Sequence, residues 1–167
     1  MHLPPDYWKA QLQLERHVEG GYYKRTYCSA LKTANLDNPR QFPDERALSS
    51  AIYFLLESGD FSAFHRIRSD EMWHFYTGDT LHLYEITPKG ILNVHKLGSN
   101  AEAGEKFQVM INSGNWFAAR VEDPGSYTLV GCTVTPAFDF RDFELATRDQ
   151  LTHTFPLHKE LIRNLTR

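Results

Sequence analysis

The sequence predicts an all-β domain, a sandwich or barrel, flanked by a short N-terminal helix and a C-terminal helical tail. Three observations carry this. Strand-like segments recur at 49–56, 61–67, 71–77, 80–86, 91–97, 107–112, 115–121 and 127–135. A succession of short strands at such spacing is the pattern of a sandwich or barrel. Turn chemistry separates them, at Ser58-Gly59-Asp60, Gly78-Asp79, Pro88-Lys89-Gly90, Asn112-Ser113-Gly114 and Asp123-Pro124-Gly125. Glycine reaches positive φ and proline fixes φ, so each is a place where a strand can end. Aromatic residues make up 13% of the chain, which suits sheets that bury aromatic side chains. No helices lie between these strands, which excludes a parallel βαβ sheet.

The flanks follow from the same reasoning. Pro4, Pro5 and Asp6 start a helix whose apolar positions are Tyr7, Trp8, Leu12 and Leu14, and which is expected to end before Gly20-Gly21. Residues 22–27 read as a strand. Residues 32–47, polar and without a period, read as a surface loop. The stretches 142–151 and 157–165 carry helix formers with apolar residues three or four apart, separated by Pro156.

At 167 residues the chain is long enough for one domain with a real core, taken as 1–167 without an internal linker. A net charge of −3 gives no electrostatic case for nucleic acid. No apolar run approaches the ~20 residues a membrane helix needs. Cys28 and Cys132 are too few for a disulfide framework, and the N-terminus lacks the basic-then-apolar order of a signal peptide. The expected location is the cytoplasm, with reduced thiols.

The candidate chemistry lies between Gly59 and Gly78, where the chain reads Gly-x5-His-x-Ile-x3-Glu-x6-Gly. Side chains alternate along a strand, so His65 and Ile67 share a face, as do Glu71, Trp73 and Phe75 on the next strand. If those faces look inward, His65 and Glu71 form a polar spot on an apolar wall, either a functional pair or a satisfied core histidine. Alternation turns His74 away from Glu71. Cys132 reads as a small core residue. Asp139, Asp142 and Glu144 read as a solvated acidic face or helix start, with Asp139 within reach of a pocket rim. Residues 17–21 read either as a helix stop or as part of a pocket mouth.

The 59–78 spacing resembles the first motif of the cupins, RmlC-like jelly-roll proteins, with one metal-binding histidine replaced by Ile67. Further segments extend the likeness to a cupin family once catalogued as a domain of unknown function, in which a yeast cupin-like protein is grouped: residues 17–22, 50–56, 64–76, 129–136 and 137–145. The resemblance implies a jelly-roll cupin barrel, a double-stranded β-helix, and a homodimer. In the second cupin motif Asn112-Ser113-Gly114 takes the turn and Phe117 stands in place of the remaining ligand histidine. Only His65 and Glu71 are left of the usual ligands, so neither a metal nor another cofactor is expected. The expected site is a pocket for a small molecule, with His65 and Glu71 as catalytic candidates and Tyr53, Ile67, Trp73, Phe75 and Phe117 as binding residues. The leading expectation is a metal-independent, isomerase- or epimerase-like proton transfer on a sugar-like or carbonyl metabolite, with His65 as base. A non-catalytic binding or sensing module stays open, and a metal-dependent oxygenase or isomerase is disfavoured by Ile67 and Phe117.

Overall fold

The computed structural model describes residues 3–33, 42 and 44–167. Helix α1 (Pro5–Gln11) leads into the strands β1 (Glu15–Arg16), β2 (Tyr22–Cys28), β3 (Lys32–Thr33), β4 (Arg46–Ala47) and β5 (Ser50–Glu57). Then follow β6 (Phe61–Ile67), β7 (Asp70–Gly78), β8 (Leu81–Ile86), β9 (Leu92–Leu97), β10 (Gln108–Ile111), β11 (Trp116–Val121), β12 (Tyr127–Thr135) and β13 (Phe143–Leu145). Helices α2 (Arg148–Thr154) and α3 (Lys159–Asn164) end the chain. One sheet runs β1-β2-β5-β12-β7-β10 and the other β13-β6-β11-β8-β9, with β3 and β4 forming a small separate ribbon. All pairings of these strands are antiparallel.

The two sheets bury their facing sides against each other, with Phe54, Trp73, Leu83, Phe117 and Val130 in the shared core. Helices cover part of each outer face. Trp8 and Leu12 of α1 and the following Leu14 pack on Leu55, Tyr127 and Leu129, and the Trp8 indole N–H donates to the Tyr127 hydroxyl at 2.9 Å. At the other side Leu151, Ile162 and Leu165 cover Phe64, Ile86 and Trp116. Apolar residues on both faces of β5 and β6 are thereby removed from water, the main stabilising term of such a fold.

The expected strands all form, within a residue or two of their expected ends. The flanks differ. Helix α1 stops at Leu12 and Gln13 takes φ 52°, because Glu15 and Arg16 pair with Tyr23 and Tyr22 instead of continuing the helix. Residues 143–145, expected to be helical, add a strand to the second sheet, with Phe143 opposite Ile67 and Leu145 opposite His65. Within the expected loop, Lys32 and Thr33 pair with Ala47 and Arg46; residues 34–41 and 43 of that expectation lie outside the described ones.

The acidic cluster also differs from expectation. Asp142 is buried. It accepts Arg46 Nε at 2.7 Å and the second guanidinium nitrogen at 3.0 Å. This bidentate pair fastens the 138–142 segment, which the sequence pattern left on the surface, to β4. Asp139 lines the cavity, at the pocket rim the sequence reading put within its reach.

Candidate functional site

One end of the barrel holds a cavity of about 470 Å³. Strand register explains its walls. Across the first sheet, Arg25 stands opposite Ile52, Ile52 opposite Cys132, and Cys132 opposite Trp73. A neighbouring row joins Tyr23 to Phe54, and another joins Ser50, Val134 and Glu71. Residues opposite each other share a face, so these rows look inward together. The second sheet contributes His65 and Ile67, and the segment after β12 contributes Phe138, Asp139 and Phe140.

The polar centre is a carboxylate that spacing alone does not reveal. Glu19 sits in the turn between β1 and β2 and is buried. Two glycines make that turn possible: Gly20 has φ 116° and Gly21 φ 70°. A Cβ on Gly20 would lie 2.0 Å from the Phe61 carbonyl oxygen, so the turn packs backbone against β6. Ala63 N–H donates to the Glu19 carbonyl at 2.8 Å. From the other side Asp60 grips the same turn, accepting Gly21 N–H at 3.0 Å, Arg16 at 2.9 Å and Arg167 at 2.7 Å. Burial would raise the Asp60 carboxyl, but these donors hold it down at about 2.

Three side chains converge on the buried carboxylate. His65 Nε2 lies 3.2 Å from Glu19 Oε2, His17 Nδ1 lies 3.3 Å from the same oxygen, and Ser62 Oγ donates to Oε1 at 2.9 Å. Burial alone would raise the Glu19 carboxyl; the two imidazoles and Ser62 bring it below the usual carboxylate range. Burial pushes His65 the other way, below the ordinary imidazole value, partly offset by Glu19. The opposite ring nitrogen of His65, Nδ1, lies 2.7 Å from the Ala63 carbonyl and donates to it. Nε2 can donate to Glu19 only when the ring is protonated. In the neutral ring Nδ1–H bonds Ala63 and a bare Nε2 faces the carboxylate, so both nitrogens are directed at protein groups and not at the cavity. His17 differs: with Nδ1–H directed at the carboxylate, Nε2 has no hydrogen-bond partner among the described residues. The backbone N–H of Glu19 also approaches His17 Nδ1, at 3.4 Å, but a carboxylate beside that nitrogen outweighs so long a contact in setting the tautomer. The His17 ring is walled by Tyr23 at 4.6 Å and by Phe54, Phe140 and Phe143 at 6.3–6.4 Å.

Glu71 is separate from this cluster. Its carboxyl bonds with the Cys132 thiol, and burial together with the Glu19 charge pushes it up to about 8, so it is protonated at neutral pH. Burial and Glu71 likewise push the Cys132 thiol well up, which makes it a poor nucleophile.

The expected site residues thus divide. His65, Ile67, Glu71 and Trp73 all line the cavity. The expected His65–Glu71 pair is not formed, because His65 is turned onto Glu19. Tyr53 points to the outer face between the inward Ile52 and Phe54, where its ring meets Tyr76 at 5.9 Å. Phe117 lies behind the wall, with its ring 4.1 Å from that of His65, and supports the histidine without facing the cavity. Phe75 packs against the core farther along β7 and does not line the cavity either. His74 faces outward, with Nε2 3.0 Å from the Thr133 hydroxyl. Of the two readings of residues 17–21, the pocket one fits: His17 and Glu19 line the cavity, while α1 already ends at Gln11. No local signal in the sequence pairs His17 with Glu19.

The donors do not fit a metal. Among the described residues no group of three or more His, Cys, Asp or Glu side chains is arranged to hold one. Ile67 offers no donor, and both nitrogens of His65 are directed at protein groups.

Two antiparallel sheets closed over a one-ended cavity define a cupin-type barrel. The family profile described as cupin superfamily (DUF985) matches residues 6–146, and the chain belongs to that family. Two solved structures resemble it over nearly their whole length. A hypothetical protein from Leishmania major shares 32% identity at a TM-score of 0.91, covering 98% of this chain and 99% of its own. A Shewanella oneidensis protein shares 39% identity at 0.87, covering 99% of both. Bacillus subtilis oxalate decarboxylase, at 16% identity and a TM-score of 0.53, shows likeness of fold alone; the match covers 90% of this chain and 36% of the decarboxylase. No curated protein matches the sequence.

Proposed function

We propose that this cupin binds a small carbonyl-bearing or sugar-like molecule and moves a proton on it without a metal, with His17 as the base and Glu19 as its partner. The observation that carries this reading is the unpartnered Nε2 of His17 on an aromatic cavity, while Nδ1 is backed by a buried carboxylate. Such a cavity, mostly apolar with a few convergent polar groups, is the usual form of a small-molecule site.

In this mechanism His17 Nε2 takes the proton from a carbon next to the carbonyl. The C–H electron pair moves into the carbonyl, leaving an enolate. Glu19 stabilises the resulting imidazolium through Nδ1–H, and Ser62 holds Glu19 in place. Glu71, protonated at neutral pH, is the available acid on the first-sheet wall and donates to the enolate oxygen. Return of a proton from His17 to the same carbon on the same face gives exchange with solvent. General acid–base catalysis of this kind contributes roughly 10²–10⁴-fold. The role expected for His65 passes to His17, because neither nitrogen of His65 is directed at the cavity.

The test is proton exchange in deuterated water, followed by NMR over a panel of ketoses and keto-sugars. Wild-type protein is expected to exchange at least one of them, and His17→Asn is expected to lose that exchange while keeping its melting temperature. Exchange by His17→Asn at the wild-type rate would refute the assignment.

One observation favours a second reading, a binding module without turnover. Both polar residues of the 59–78 motif bond to protein groups, His65 to Ala63 and Glu19 and Glu71 to Cys132. That reading predicts ligand-induced thermal stabilisation with no exchange on any bound molecule. For the assembly we propose a homodimer, since β1, β10, β13 and β9 are the sheet edges and exposed edges invite pairing. Light scattering on the purified protein measures it. No helix among the described residues is long and apolar enough to cross a membrane, and both cysteines are free; a reducing, cytoplasmic setting is the location we propose.

A further inference from the structure

The charged groups around the cavity mouth are Glu15, Lys24, Arg25 and Asp139. Asp139 is already neutralised, accepting the Arg141 backbone N–H at 2.9 Å and its guanidinium at 3.0 and 2.7 Å. Glu15 accepts the hydroxyl of Tyr23, its register partner. Lys24 stands opposite Tyr53, so its side chain belongs to the outer face. Arg25 stands opposite Ile52, on the inner face with Tyr23. It makes no hydrogen bond or ion pair with any described residue. By contrast Arg16, Arg46, Arg66, Arg120, Arg141 and Arg167 all engage carboxylates. A guanidinium offers five donors in a planar fork that matches carboxylate and phosphate oxygens. At this mouth that fork is unspent.

We infer that Arg25 anchors an anionic group, so that the site takes a small carbonyl compound carrying a carboxylate or a phosphate. This rests on the pocket reading above and adds the charge of the ligand to it. The anion sits at the rim on Arg25, and the uncharged part of the molecule extends inward past Ile52 and Phe54 toward His17. Glu71, held in its neutral form, adds no repulsion to an anion at the rim. The ionised carboxylate within the cavity, Glu19, is enclosed by two imidazoles and Ser62.

The test compares binding of D-fructose, D-fructose 6-phosphate and D-glucuronate by titration calorimetry to wild type, Arg25→Gln and Arg163→Gln, the last an exposed arginine on α3 as control. One or both charged sugars are expected to bind wild type at least about tenfold more tightly than fructose, a charge-assisted contact's share. Arg25→Gln is expected to erase that preference and Arg163→Gln to keep it; which charged member wins separates phosphate from carboxylate. Equal binding of fructose and the charged sugars, or a preference that survives in Arg25→Gln, overturns the anchor and leaves the pocket reading intact. Failure of all three to bind folded wild-type protein counts against both.

Discussion

Replacing Glu71 by glutamine keeps the side chain's shape and its capacity to bond with Cys132 but removes a proton the fold is built to hold. The Glu71 carboxyl is raised from its ordinary 4.5 to about 8 by burial and by Glu19. The folded state therefore keeps a proton that the unfolded chain releases above pH 4.5. Stability linked to this group is fully present below that pH and is lost as pH rises toward 8. At about 1.4 kcal/mol per pH decade, wild type forfeits about 3 kcal/mol between pH 4.5 and 7 through this one group. Glutamine cannot titrate, so the variant avoids the loss. Urea denaturation of both proteins at pH 5, 6, 7 and 8 measures the difference. Glu71→Gln is expected to gain on wild type steadily across that range, by a few kcal/mol in all. A constant difference between the two proteins would refute the protonated Glu71 and, with it, its role as the acid of the site.

Further outcomes follow from other contacts. Gly20→Ala must move a Cβ away from the Phe61 carbonyl at a φ of 116°, so it is expected to lose about 2–4 kcal/mol in urea denaturation and to displace Glu19. Asp142→Asn breaks the buried bidentate pair with Arg46 and is expected to cost about 3–5 kcal/mol, loosening the segment that carries Phe138 and Phe140; calorimetric melting checks it. Asp60, held at about 2, gives stability that is present above its ordinary 3.8 and fades as pH falls toward 2. Acid titration followed by circular dichroism should therefore show Asp60→Asn less stable at pH 6 and flatter between pH 4 and 2. Phe117→Ala opens a void behind His65 and is expected to cost about 3–5 kcal/mol in urea.

The barrel was legible in the sequence because its signals are local. Alternation and turn residues repeat strand by strand, and Ser58-Gly59-Asp60 or Asp123-Pro124-Gly125 announce their turns without reference to anything distant. Half the pocket wall was legible for the same reason: Ile67 and Trp73 share faces with His65 and Glu71 by simple period two. The centre was not. Glu19 meets His65 and Ser62 across more than 40 positions of chain, and only the packing of the Gly20-Gly21 turn onto β6 brings them together. Phe75 and Phe117 failed as wall residues because inwardness does not say how far along the barrel a side chain lies, and Tyr53 because alternation puts it on the outer face between Ile52 and Phe54. Residues 143–145 carry helix-forming character, yet the open edge of β6 takes them as a strand, a tertiary contact overriding a weak local preference.

The account turns on which nitrogens of two histidines carry protons around Glu19. Long-range proton–nitrogen correlation spectra of the ligand-free protein at mildly alkaline pH read this directly, with His17→Asn and His65→Asn to assign the signals. The account predicts that His17 carries its proton on Nδ1 with a bare Nε2, and that the His65 Nδ1 is protonated toward Ala63. A His17 signal with the proton on Nε2 and a bare Nδ1 would contradict it, since the base proposed for the cavity would then be facing its own backbone.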